Sequence, residues 1–189
     1  MEALFMSTAI VALAEIGDKT QLLSFVLAAK LKSKYAIMAG IFGATIANHT
    51  FAGYVGAWLA SLVSPVVLKW IIACSFFAFG LWALRPDTLD QDQKLRGRSA
   101  FVTTLIAFFI VEMGDKTQLA TVALAARYEA LMAVVMGTTL GMLIANAPAV
   151  WMGEVLAHRI NMKTVRWVAA ASFVGLGVWT LVSGGVQLS

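Results

Sequence analysis

Four of the ten acidic residues in this 189-residue chain fall within two copies of one pattern. Residues 15–30 read EIGDKTQLLSFVLAAK and residues 112–127 read EMGDKTQLATVALAAR, identical at ten of sixteen positions. Each copy sets two acids and a lysine within five residues: Glu15, Asp18 and Lys19, then Glu112, Asp115 and Lys116. Apolar sequence flanks both copies. An ionised side chain is expensive there and is retained where it does something.

The i, i+3 spacing predicts that Glu15 and Asp18 share one face of a continuous helix, as do Glu112 and Asp115. Gly17 and Gly114 lie between the acids, where glycine weakens a helix and admits a close neighbour. If the copies meet, Glu15, Asp18, Glu112 and Asp115 form a four-carboxylate cluster. Such a cluster cannot stay fully ionised and empty, so it binds cations, protons or both. Oxygen ligands suit hard divalent ions such as Mn²⁺, Ca²⁺ and Mg²⁺. Further oxygen donors recur beside the acids: Thr20 and Thr117, Gln21 and Gln118, Ser24 and Thr121, Asn48 and Asn146. Met113 has Ile16 as its counterpart and reads as packing. Four acids and two lysines leave a net charge of −2. One divalent cation or two protons would cancel it, which suits an antiporter.

A purely structural reading also exists. Lys19 follows Glu15 by four residues, as Lys116 follows Glu112, which is the spacing of an intrahelical ion pair. Two copies with surplus negative charge favour a transport site over that reading. His49, beside Asn48, is a candidate proton relay, although Ala147 stands at the matching place. Glu154 is expected at a solvated helix end or paired with Arg159. Pro148 removes a helical hydrogen bond and frees a carbonyl near Asn146. Trp70, Trp82, Trp167 and Trp179 read as interfacial anchors or packing. Cys74, the single cysteine, reads as packing.

The elements that must carry these groups follow from composition. The chain is 60% hydrophobic, 13% charged and has a mean hydropathy of +0.84. A soluble chain this short cannot hide so much apolar surface, and its apolar runs are of membrane-spanning length. The formal net charge of +4 is therefore no sign of nucleic-acid binding. No Ser-His-Asp set, phosphate loop or zinc motif suggests an enzyme, and no cofactor is expected. An Ala12-Leu13-Ala14 triplet resembles a signal-peptidase site, but no basic region precedes it, so this segment is expected to remain as the first helix.

The repeat covers nearly the whole chain. Residues 69–84 align with 166–181 at the same offset of 97, sharing Trp70/Trp167, Ser75/Ser172, Phe76/Phe173, Gly80/Gly177, Trp82/Trp179 and Leu84/Leu181. Apolar runs near 3–29, 35–62, 66–85, 100–126, 130–157 and 163–185 predict an all-α integral membrane protein of six transmembrane helices. Residues 1–85 form the first three-helix repeat, 86–99 a cytoplasmic linker and 100–189 the second repeat. Three spans per repeat force the second copy to be inverted, a recurrent transporter architecture. Ten basic residues fall in the loops of one side, and only Lys69 and Arg127 on the other. Both termini are accordingly expected outside the cytoplasm.

Two E-x-G-D-K-T motifs in such a duplication resemble the Gdt family of cation/proton exchangers. The resemblance covers the full chain, and neither motif departs from the family pattern. It implies that Glu15, Gly17, Asp18, Lys19 and Thr20, with Glu112, Gly114, Asp115, Lys116 and Thr117, occupy the signature positions and that the acids bind the ion. It also implies manganese export across a bacterial inner membrane, with Ca²⁺ as the other ion. The expected function is export of a divalent cation in exchange for protons by alternating access in a lipid bilayer. The alternatives are export of amino acids or similar small organic solutes, and a membrane scaffold with structural ion pairs. A monomer and a homo-oligomer are equally compatible with the sequence.

Overall fold

The computed structural model describes residues 1–85, 99–128, 130–152 and 162–182, and in these the regular structure is entirely helical. In chain order the helices are α1 Glu2–Glu15, α2 Lys19–Leu31, α3 Lys34–Leu62, α4 Pro65–Ala83, α5 Ala100–Glu112, α6 Lys116–Tyr128, α7 Leu131–Met152 and α8 Met162–Val182. Ser64 caps α4 by accepting from the Val67 N–H, with Pro65 in its first turn, and Ser99 caps α5 by accepting from the Val102 N–H. Most of residues 86–99, and Glu154 and Arg159, lie outside the described residues.

Two expected continuous helices are each broken in the middle. The run at 3–29 is α1 and α2, and the run at 100–126 is α5 and α6. Ile16 has φ −62 and ψ 119, followed by Gly17 at φ +83. Met113 has φ −65 and ψ 119, followed by Gly114 at φ +77. The Asp18 N–H donates to the Glu15 carbonyl at 3.0 Å, and the Asp115 N–H to the Glu112 carbonyl at 3.1 Å. These are type II turns, whose third residue needs positive φ and so favours glycine. The i, i+3 expectation for the acids fails for that reason: a turn, not a helix face, joins each Glu to its Asp.

Helix packing repeats under exchange of the two halves. α1 packs on α7 as α5 packs on α3, α2 meets α7 as α6 meets α3, and α3–α7 and α4–α8 are self-corresponding. The contacts of α4 with α6 and of α1 with α8 have no counterpart of similar extent among the described residues. Repeat-related residues meet at the α4–α8 interface. Phe76 stacks on Phe173 with centroids 6.4 Å apart, and Phe79 meets Phe173 edge-on at 5.9 Å. At one end of the bundle Arg127 donates to the Thr180 hydroxyl and lies over the Tyr128 ring at 5.3 Å, tying α6 to α8.

Close helix approaches use Gly40 and its repeat mate Gly137. A Cβ on Gly40 would stand 2.8 Å from the Phe101 carbonyl oxygen, and one on Gly137 would stand 2.5 Å from that of Leu4. Backbone cannot move aside as a flexible side chain can. Gly137→Leu is therefore expected to cost about 3 kcal/mol, read as a lower midpoint of thermal unfolding in detergent.

The outer surface is apolar. Phe51, Trp58, Trp70, Leu81, Ile144 and Trp167 are all exposed, as lipid-facing side chains would be. Cys74 and Met113 belong to this surface and not to the packed interior, contrary to the expectation for both. The helices α4 and α7 are long and apolar enough to cross a membrane.

Candidate metal centre

The two broken helices bring their turns together. Glu15 ends α1 and Glu112 ends α5, while Asp18 and Asp115 stand immediately before α2 and α6. All four acids are buried. Glu15, Asp18 and Glu112 each present a carboxylate oxygen within 4.8 Å of the others. Asp115 does not join that group. Its carboxylate is held by Lys19 Nζ at 2.7 Å.

Both lysines act across the repeat boundary. Lys19 pairs with Asp115 of the second motif, and Lys116 with Asp18 of the first. The intrahelical pairs suggested by the i, i+4 spacing are replaced by these, because the turn interrupts the helix between Glu and Lys. Asp18 accordingly makes no side-chain cap to α2. Among the described residues the glutamates form no ion pair. Neither oxygen of Glu15 has a hydrogen-bond partner, while Glu112 accepts one bond from the Thr117 hydroxyl at 2.8 Å. A buried carboxylate in that condition is costly as an anion unless a cation or a proton joins it.

The remaining predicted donors are all buried, several of them already engaged. Gln21 Oε1 accepts from the Gly17 N–H at 2.8 Å, and Gln118 Oε1 from the Gly114 N–H at 2.6 Å. Each glutamine thus secures its own turn. Gln21 Nε2 also donates to the Ala145 carbonyl at 2.8 Å. Pro148, inside α7, has no N–H to offer the Ile144 carbonyl one residue earlier. Ser24 donates to Asn146 Oδ1 at 2.8 Å, and Asn48 Nδ2 donates to the Phe109 carbonyl at 3.1 Å. The Thr121 hydroxyl donates to the Thr117 carbonyl at 2.8 Å. Thr20 is fully buried beside Glu112. His49 is fully buried on α3, and neither ring nitrogen has a hydrogen-bond partner.

Sequence reasoning missed the turn and the crossed pairing. A signal for the turn was present, since Glu-x-Gly-Asp places glycine at the position that a type II turn reserves for positive φ. No comparable local signal specifies which Asp each Lys meets. Chemically, the arrangement offers a hard-oxygen centre for a divalent ion or for protons, flanked by two fixed ammonium groups.

A family model described as the divalent cation/proton antiporter GDT1 matches residues 3–91 and 100–187. A candidate manganese exporter of Vibrio cholerae is 46% identical over 95% of this chain and 90% of its own length. GDT1-like protein 3 of Oryza sativa subsp. indica is 26% identical over 94% of this chain and 72% of its own length. A GDT1-like protein of Synechocystis is 26% identical over 92% of this chain and 95% of its own. No solved structure matches.

Proposed function

This chain belongs to the GDT1 family of divalent cation/proton antiporters, and we propose that it exports Mn²⁺ in exchange for protons through the carboxylate centre of its two motifs. The family is one of transporters, not of enzymes. The observation that carries the site assignment is the buried meeting of Glu15, Asp18 and Glu112 within 4.8 Å. These oxygens are hard donors, which favours Mn²⁺ or Ca²⁺ over softer metals. Manganese is the ion named for the Vibrio cholerae relative. When the ion leaves, protons take its place on the same oxygens, so each cargo excludes the other. Exclusive occupancy of one site is the basis of exchange.

The architecture we propose is six spans in two inverted repeats, 1–85 and 100–189, joined by a cytoplasmic linker at 86–99, with both termini outside the cytoplasm. Support comes from matching breaks at Gly17 and Gly114, from the packing pattern under exchange of halves, and from the one-sided basic loops. Broken helices meeting at the centre are where repeat-built transporters hold their ions. Alternating access would then be a rocking of one repeat against the other.

Two observations weigh against the alternatives. An amino-acid exporter would need a lysine for the substrate carboxylate, yet Lys19 and Lys116 are both committed to aspartates. A scaffold would pair its acids, yet Glu15 has no polar partner. The direct test is Mn²⁺ uptake into inside-out vesicles. An acidic lumen is expected to accelerate uptake at least about tenfold (roughly 1.4 kcal/mol), and collapsing the gradient should remove the gain. Gradient-independent uptake, or accumulation of amino acids in place of metal, would overturn the proposal.

A further inference from the structure

The centre contains a cation of its own. Lys116 donates to Asp18, and the pair is sealed, with side-chain exposures of 5% and 0%. The symmetry-related pair differs: Lys19 on Asp115 keeps 23% of its side chain exposed. Asp115 stands outside the three-carboxylate group, so the Lys19–Asp115 pair cancels itself beside the centre. Within the sealed part, three carboxylates face one ammonium, leaving a net −2.

We infer that Lys116 is a tethered counter-cation that competes with the transported ion for Asp18 and sets the sealed centre to the charge that one divalent cation cancels. This deepens the function proposed above and rests on it for the identity of the ion. The physical reason is local. An ammonium held a few ångströms from a divalent ion, in a site poor in water, repels it strongly. A bound ion therefore meets a weaker site than the bare carboxylates would make, which keeps release fast enough for turnover. Lys116 is a positioning residue in this scheme and carries no proton of the exchange. Lys19, partly exposed and paired with Asp115, has no equivalent hold on the ion.

The test is equilibrium binding of Mn²⁺ alone to purified full-length protein in detergent, with thermal unfolding measured on the same samples. Lys116→Met is expected to bind Mn²⁺ at least about tenfold more tightly than wild type (each tenfold being 1.4 kcal/mol) and to turn over more slowly in vesicles. Asp18→Asn is expected to weaken binding about a hundredfold, and adding Lys116→Met to it should recover at least about tenfold of that loss. A lysine that only supports the fold cannot strengthen binding when removed. Lys116→Met that unfolds as wild type but binds no more tightly overturns the inference. If either single variant fails to fold, the double variant decides, because it removes both members of the Lys116–Asp18 pair together. Its binding Mn²⁺ within about tenfold of wild type (roughly 1.4 kcal/mol) supports the inference, and weaker binding or none overturns it. Wild-type protein that binds no Mn²⁺ overturns both this inference and the proposed function. Wild-type binding with an uncompensated double variant overturns this inference alone.

Discussion

Glu15→Gln is expected to reduce proton-driven Mn²⁺ transport at least about a hundredfold, a loss of some 2.7 kcal/mol, without destabilising the protein. Glutamine keeps the shape of the side chain but neither bears the charge that holds a metal nor carries the exchanged proton. The carboxylate it replaces is buried with both oxygens unpartnered. Removing an unpaired buried ionisable group relieves a desolvation cost, so the thermal midpoint should hold or rise. A site residue that is costly to the fold and needed for function has that signature. Glu112→Gln should behave similarly, with a smaller gain in stability because Glu112 accepts a bond from Thr117. The checks are vesicle flux and thermal unfolding on the same preparation. Retained transport in folded Glu15→Gln would remove the carboxylate centre from the mechanism. A lower midpoint would favour the scaffold reading.

Asp18→Asn is expected to behave in the opposite way, lowering stability by about 3–5 kcal/mol as well as weakening metal binding. It removes one member of a buried ion pair, and breaking such a pair from one side is strongly destabilising. Asp115→Asn should cost less, about 1 kcal/mol, because Lys19 keeps a path to water and can be solvated when its partner is lost. Denaturant or thermal unfolding of the two variants side by side checks the asymmetry. Equal costs would mean that the two pairs are sealed alike. Together, the Glu and Asp substitutions would separate the two duties proposed for the motif: carrying the cargo, assigned to the glutamates, and pairing with the lysine of the other motif, which the aspartates do.

Much of the helical frame was legible because local physics writes it. Long apolar runs must become helices in a solvent that offers the backbone no partners, and α3 and α4 begin close to where their runs begin. The repeat was legible because identity at a fixed offset needs no structure, and Phe76 and Phe173, paired by that offset, stack against each other. The breaks at Gly17 and Gly114 were harder to read. Apolar periodicity runs through them, and a single glycine inside a run suggests weakness more readily than a turn. Their i, i+4 lysines also imitate a helical ion pair, and only the positive φ at the glycines cancels that reading.

The sequence by itself determined the solvent, the duplication and the chemical identity of the centre, because each follows from which residues are present and how far apart they stand. Hydropathy sets the medium, and paired acids in an apolar run announce that something must neutralise them. Tertiary structure alone decided how the charges are divided. It turned each motif at its glycine, gave Lys116 to Asp18 and Lys19 to Asp115, sealed one pair more than the other, and left Glu15 and Glu112 in no ion pair among the described residues. That division depends on which ends of which helices meet in space. Lys116 and Asp18, 98 positions apart, have no local interaction through which the chain could specify it.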